Sequence, residues 1–138
     1  MTAKEFLRSI RKMTLEIDAL GEEITQLRHE AEGIRAMTLS DMPKGGQPKD
    51  AADIIAEVCD LQRTRYALVL ERLAKREEAM VAIAQIADGE ERTVLMMRYI
   101  LGKSWDEIVD ETHYAYSSVF KLHGEALRSF ERVSKSVE

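Results

Sequence analysis

Phe6, Ile10, Met13, Ile17, Leu20, Ile24, Leu27, Ala31 and Ile34 follow one another at alternating steps of four and three residues. A helix turns once in 3.6 residues, so this spacing draws one continuous apolar line along a helix, the a/d pattern of a coiled coil. Few folds accept such a line. It predicts a helix from about Thr2 to Met37, some ~50 Å long at 1.5 Å per residue, and it demands a partner helix of similar length. Gly21 and Gly33 interrupt the helix, each costing roughly 1 kcal/mol relative to alanine, so packing along the seam has to offset them.

The partner is expected directly downstream. Residues 38–50, TLSDMPKGGQPKD, hold both prolines and a glycine pair and predict a loop, with Asp50 as the N-cap of the next helix. No Gly-Lys-Ser/Thr follows Gly45-Gly46, so the pair does not make a phosphate-binding loop. From Ala51 to Ala87 a second helix is predicted, with Ile55, Val58, Cys59, Tyr66, Val69, Leu73, Met80 and Ile83 on its apolar side. Two matched helices joined by one loop make an antiparallel, coiled-coil-like hairpin over residues 1–87. Ile54, Leu61, Leu68 and Leu70 fall off its seam, and self-association is the natural way to cover them. Two prolines, seven glycines and 6% aromatic residues suit helices and not an all-β chain. The fold class is therefore all-α, the hairpin being followed by a small three-helix domain over residues 88–138.

Asp88-Gly89 ends the hairpin. Glu90 to Leu101 is a third helix with Val94, Leu95, Met97, Tyr99 and Leu101 as core candidates, and Gly102 is its stop. Ser104 followed by Glu107 is a capping box, in which hydroxyl and carboxylate satisfy each other's backbone amides. It opens a short helix lined by Trp105, Ile108 and Val109, which fails at Thr112-His113. After Tyr114-Ala115 a further helix carries Val119, Leu122, Ala126, Leu127 and Phe130 at helical spacing. Two short helices on one apolar seam, joined by three or four residues, predict a helix-turn-helix whose second helix enters the major groove. Trp105, Ile108, Val119 and Leu122 are expected to be buried together.

Arg92 to Phe130 resembles region four of bacterial primary sigma factors, and is more similar still to sigma-like phage and prophage regulators of the ArpU type. The resemblance rests on Val94-Leu95…Arg98-Tyr99, Gly102, Trp105…Glu107-Ile108 and Val119…Leu122…Ala126-Leu127. It implies a DNA-binding domain with Tyr116, Ser117, Phe120 and Lys121 at the base-contacting positions. There the sigma family commonly carries Arg, Glu, Arg and Gln, so the resemblance implies groove entry without the same promoter hexamer. The face opposite the buried one also offers Gly124 and Arg128. Lys121, Arg128 and Lys103 are the expected phosphate partners, with Arg132 at the margin. Lys121 can reach a guanine and Phe120 a thymine methyl.

Net charge is −5, and from Gly89 onward seven Lys/Arg stand against nine Asp/Glu. This balance argues against loose, charge-driven binding to nucleic acid, and any DNA contact is expected to be local, with a shallow salt dependence. His29, His113, His123 and Cys59 share no ligand spacing, so no metal or other cofactor is expected. No nucleophile elbow or Cys-His pair appears, so no catalytic residue is expected and the chain does not read as an enzyme. A single cysteine and the lack of any long apolar run point to the cytoplasm, with no membrane partner. Three readings follow. The first is a phage-type transcriptional regulator that binds double-stranded DNA, its hairpin serving self-association as a homodimer or a hold on RNA polymerase. The second is a small terminase subunit, the DNA-packaging adaptor. The third is a helical interaction protein without a nucleic-acid target.

Overall fold

The structure is a computed structural model that describes residues 1–40 and 49–137. Among these residues every regular element is a helix and none is a strand. The order is α1 (Ala3–Ser40), α2 (Lys49–Ala84), α3 (Gly89–Leu95) running into a π turn (Met96–Ile100), α4 (Trp105–Thr112) and α5 (Tyr116–Val137). Most of the loop expected at 38–50 lies outside the described residues, Gly45-Gly46 included. Its two edges are helical, and Asp50 lies inside α2 instead of capping it. All nine seam residues of α1 are buried or half-buried.

The chain forms two compact units, and they do not divide at residue 87. One is Ile17–Glu71; the other joins Met1–Glu16 to Arg72–Glu138. The physical reason lies in the size of the C-terminal helices. Helices of seven or eight residues bury too little apolar surface to stand alone, so the ends of the two long helices complete their core. Leu7 and Ile10 from α1, and Ala79 and Ile83 from α2, share that core with Val94, Leu95, Ile108, Val119 and Phe130. Phe6 stacks on Phe130 with ring centroids 6.0 Å apart. The Thr14 hydroxyl, itself buried, donates to the carbonyls of Tyr99 and Ile100 at 3.1 and 3.2 Å. Glu16 pairs with Arg72 at 2.5 Å.

Helix α2 stops at Ala84, three residues short of the expected end, because Gln85 and Ile86 close a tighter turn onto Ala82 and Ile83. Arg92 then donates to the carbonyls of Ile86 and Ala87 at 2.6 and 2.9 Å, tying the connection after α2 to α3. Asp88 caps α3 by accepting from the Glu91 amide. Four of the five core candidates of this segment are buried, but Leu101 is 58% exposed and Ile100 is buried in its place. The π turn explains the exchange: the Leu101 amide bonds back five residues to Met96, and the wider turn swings the inward face past its α-helical register.

In the unit Ile17–Glu71 the two helices return antiparallel, with Ile24 and Val58 buried between them. Arg65 pairs with Glu23 at 2.5 Å, and Arg28 donates to the Tyr66 hydroxyl at 3.2 Å. Tyr66 was expected on the seam and is exposed, held outward by that bond. Ile54, Leu61 and Leu70 are exposed as the off-seam reading requires, whereas Leu68 is half-buried.

Candidate nucleic-acid interface

The capping box at Ser104 is present in full. Its hydroxyl accepts from the Glu107 amide at 3.2 Å, and the Glu107 carboxylate accepts from the Ser104 amide. Helix α4 ends at His113, whose φ of 60° is left-handed, a conformation that ends a helix sharply. Three residues later α5 begins. Tyr114, within the turn, donates to Glu90 and ties the turn to α3.

Helix α5 presents two faces. Val119, Ala126 and Phe130 are buried, with Leu122 and Leu127 half-buried. On the other side Tyr116, Ser117, Phe120, Lys121 and Arg128 are all exposed, and Gly124 is half-buried among them. Lys121 and Arg128 form no ion pair with the described residues, so both charges are available. Tyr116 donates its hydroxyl to Asp106 of α4, which raises its pKa. Lys103 is less free: both carboxylate oxygens of Glu111 lie 2.5 Å from its ammonium.

Trp105 is not part of the closed core. It is half-buried, its ring edge-on to Phe120 and His123 at 5.2 and 4.8 Å, with the Arg98 guanidinium 4.4 Å from its centroid. The residue one turn further along, Ile108, fills the core position instead.

Beside these rings lies a pocket of about 500 Å³ that the sequence reading did not anticipate. One wall is the first turns of α1, through Lys4, Arg8, Arg11 and Lys12; Arg98 adds a fifth cation. Trp105, Phe120 and His123 make the opposite wall. No carboxylate lines it. The Tyr99 hydroxyl lies 2.6 Å from His123 Nε2. Burial first, then the charges of Lys4, Arg98 and Arg8, lower the pKa of His123 to about 4, so the ring is neutral at pH 7. The pKa of Arg98 is lowered by burial and by Arg11, and that of Tyr99 is raised by burial. The signal was present in the sequence: residues 4, 8, 11 and 12 share one helical face, beside the apolar line that drew the reading.

Residues 35–131 match the family model described as "Protein of unknown function (DUF1492)", which covers well over half of the chain. The protein belongs to that family. No curated protein and no solved structure matches it. The span shared with DUF1492 contains α3, α4 and most of α5, with Arg98, Trp105, Phe120 and His123. It leaves out Lys4, Arg8, Arg11 and Lys12, so the pocket joins residues of the DUF1492 segment to a wall that precedes it. Among the described residues no cluster of His, Cys, Asp and Glu could hold a metal ion, and no helix is long and apolar enough to cross a membrane.

Proposed function

We propose that this protein binds double-stranded DNA through α5 as a transcriptional regulator of the sigma-like phage type, with Ile17–Glu71 serving self-association or a hold on RNA polymerase. The observation that carries the reading is the pairing of a capped α4, a three-residue turn and an α5 whose outward face is exposed over its first two turns. Tyr116, Ser117, Phe120 and Lys121 are the base-edge candidates, and Arg128 is a phosphate contact. Lys103 is a weaker partner, because a phosphate would have to displace Glu111. The cations of α1 adjoin Phe120 and supply locally the positive field that a chain of net charge −5 lacks overall. Exposed Ile54, Leu61 and Leu70 support the self-association arm.

The test is selection of bound duplexes from a random pool, with and without RNA polymerase, followed by anisotropy titrations. Lys121→Ala should lose ~1–3 kcal/mol on the selected site and relax preference at one base pair. Arg128→Ala should weaken all sequences about equally, since a phosphate contact carries no sequence information. If neither substitution alters binding, α5 is not the reading helix. Light scattering of the full chain should give a dimer; a ring of eight or more subunits would favour the packaging adaptor.

A further inference from the structure

We infer that the cationic pocket walled by α1, Arg98, Trp105 and His123 is a binding site for a phosphate group. This goes beyond the DNA reading and does not depend on it.

Charge and geometry both lead there. Five cations line one pocket, and no ion pair with a described carboxylate relieves any of them. The two guanidiniums that are held in place are held by neutral acceptors. Arg11 donates to the Gly102 carbonyl at 3.2 Å, and Arg98 to the Lys103 carbonyl at 3.0 Å. Backbone carbonyls orient a guanidinium without neutralising it, so the charge stays available to a ligand. The Nε of Arg11 is buried and has no hydrogen-bond partner, a costly state for a donor on a charged group.

The donor set selects phosphate among anions. Three planar guanidinium forks in one pocket match a group with several oxygens, and arginine bonds phosphate in pairs. A volume near 500 Å³ leaves room for a phosphate carried on a larger molecule. Two sources share this chemistry: a phosphodiester of a DNA backbone lying along α5, which Phe120 links to the pocket, and the terminal phosphates of a free nucleotide.

Trp105 is the chain's only tryptophan and lines the pocket, so its emission reports occupancy directly. The full chain is titrated at constant ionic strength with sodium pyrophosphate, with ATP and with a short DNA duplex, using sodium chloride as the control. A saturable change in Trp105 emission is expected with at least one phosphate ligand. Arg8→Gln should weaken that response about tenfold or more. Arg8 is exposed, so the variant is expected to fold; Lys4→Gln, also exposed, provides a second reading. A response to the duplex alone makes the ligand a backbone phosphate, and a response to pyrophosphate or ATP makes it a free one. Silence toward all three ligands overturns the site. So does an equal change with chloride, or a titration unaltered in both glutamine variants. Should pyrophosphate or ATP bind while no duplex does, the site stands and the DNA reading falls. Should the duplex bind with Trp105 silent and Arg8→Gln without effect, the site falls and the DNA reading stands.

Discussion

Gly102→Ala should unfold the C-terminal unit more easily by about 2 kcal/mol. Gly102 sits at φ +73°, and a Cβ there would lie 3.3 Å from the Thr14 Cγ2 methyl and 3.5 Å from Leu15 Cδ2. A left-handed conformation costs an L-residue roughly 1–2 kcal/mol. The Thr14 methyl cannot withdraw freely, because the hydroxyl beside it holds the carbonyls of Tyr99 and Ile100. Loosening either bond loses about 0.5–1.5 kcal/mol. Against this, alanine reduces the freedom of the unfolded chain and returns about 0.4–1 kcal/mol. The remainder, near 2 kcal/mol, should lower Tm by about 8–16 °C in a domain of this size. Trp105 emission follows this unit, while far-UV circular dichroism follows all the helices. Gly21→Ala and Gly33→Ala are the controls: nothing lies within 4 Å of either Cβ, and each should stabilise its helix by roughly 1 kcal/mol. A Gly102→Ala melt at or above the wild-type Tm would refute both the left-handed turn and the Thr14 contact.

Gly124→Ala should raise Tm through helix propensity, by about 1 kcal/mol, since the added methyl has open space around it. The same methyl on the outward face of α5 should lower duplex affinity in anisotropy titrations, and an unchanged affinity would mean that DNA does not approach there. Ser104→Ala should cost about 1 kcal/mol through loss of the capping box, read in the same melts. His123 gives the stability a pH dependence: its pKa is about 4 when folded against an ordinary 6.5, so the unfolded chain takes the proton first. Stability is full above pH 6.5 and falls as pH drops toward 4, by on the order of 3 kcal/mol in all. His123→Gln should flatten the profile between pH 6.5 and 5, above the range where carboxylates titrate, and an unaltered slope would place the proton elsewhere.

The parts of the fold legible in the sequence were those written in local patterns. The seam from Phe6 to Ile34, the Ser104–Glu107 box and the stops at Gly102 and His113 each rest on residues within one or two turns of one another, and each is present. What escaped depended on hydrogen bonding or packing between distant segments. Nothing in Met96–Ile100 announces a π turn, yet that turn exchanges Leu101 for Ile100 in the core. Trp105 looked like a core residue because it is large and apolar. It is instead one wall of a pocket whose other wall is more than ninety residues earlier. The outward residues of α5 were legible from the spacing of its buried ones, since a helix with one packed face must present the other.

Charge was the least legible property, for a physical reason. A net charge averages over the surface, whereas binding responds to the potential at one place, and a Debye length near 8 Å at physiological salt makes distant carboxylates weak competitors. The acidic balance after Gly89 suggested a poor surface for phosphate. That count omitted Lys4, Arg8, Arg11 and Lys12, because they belong to a helix read as part of a separate arm. The unit that unites Met1–Glu16 with Arg72–Glu138 brings those four cations to Arg98. None of the four carboxylates of α4 lines the pocket, and Glu111 is paired with Lys103. Arg11 and Arg98 are meanwhile oriented by neutral carbonyls, which leave their charge in place. An acidic protein can by this arrangement offer a cationic site, and the site exists only when the first four turns of α1 are docked. Its anion affinity is thus coupled to the fold of that unit, and a bound phosphate should in turn stabilise the docked helix by mass action.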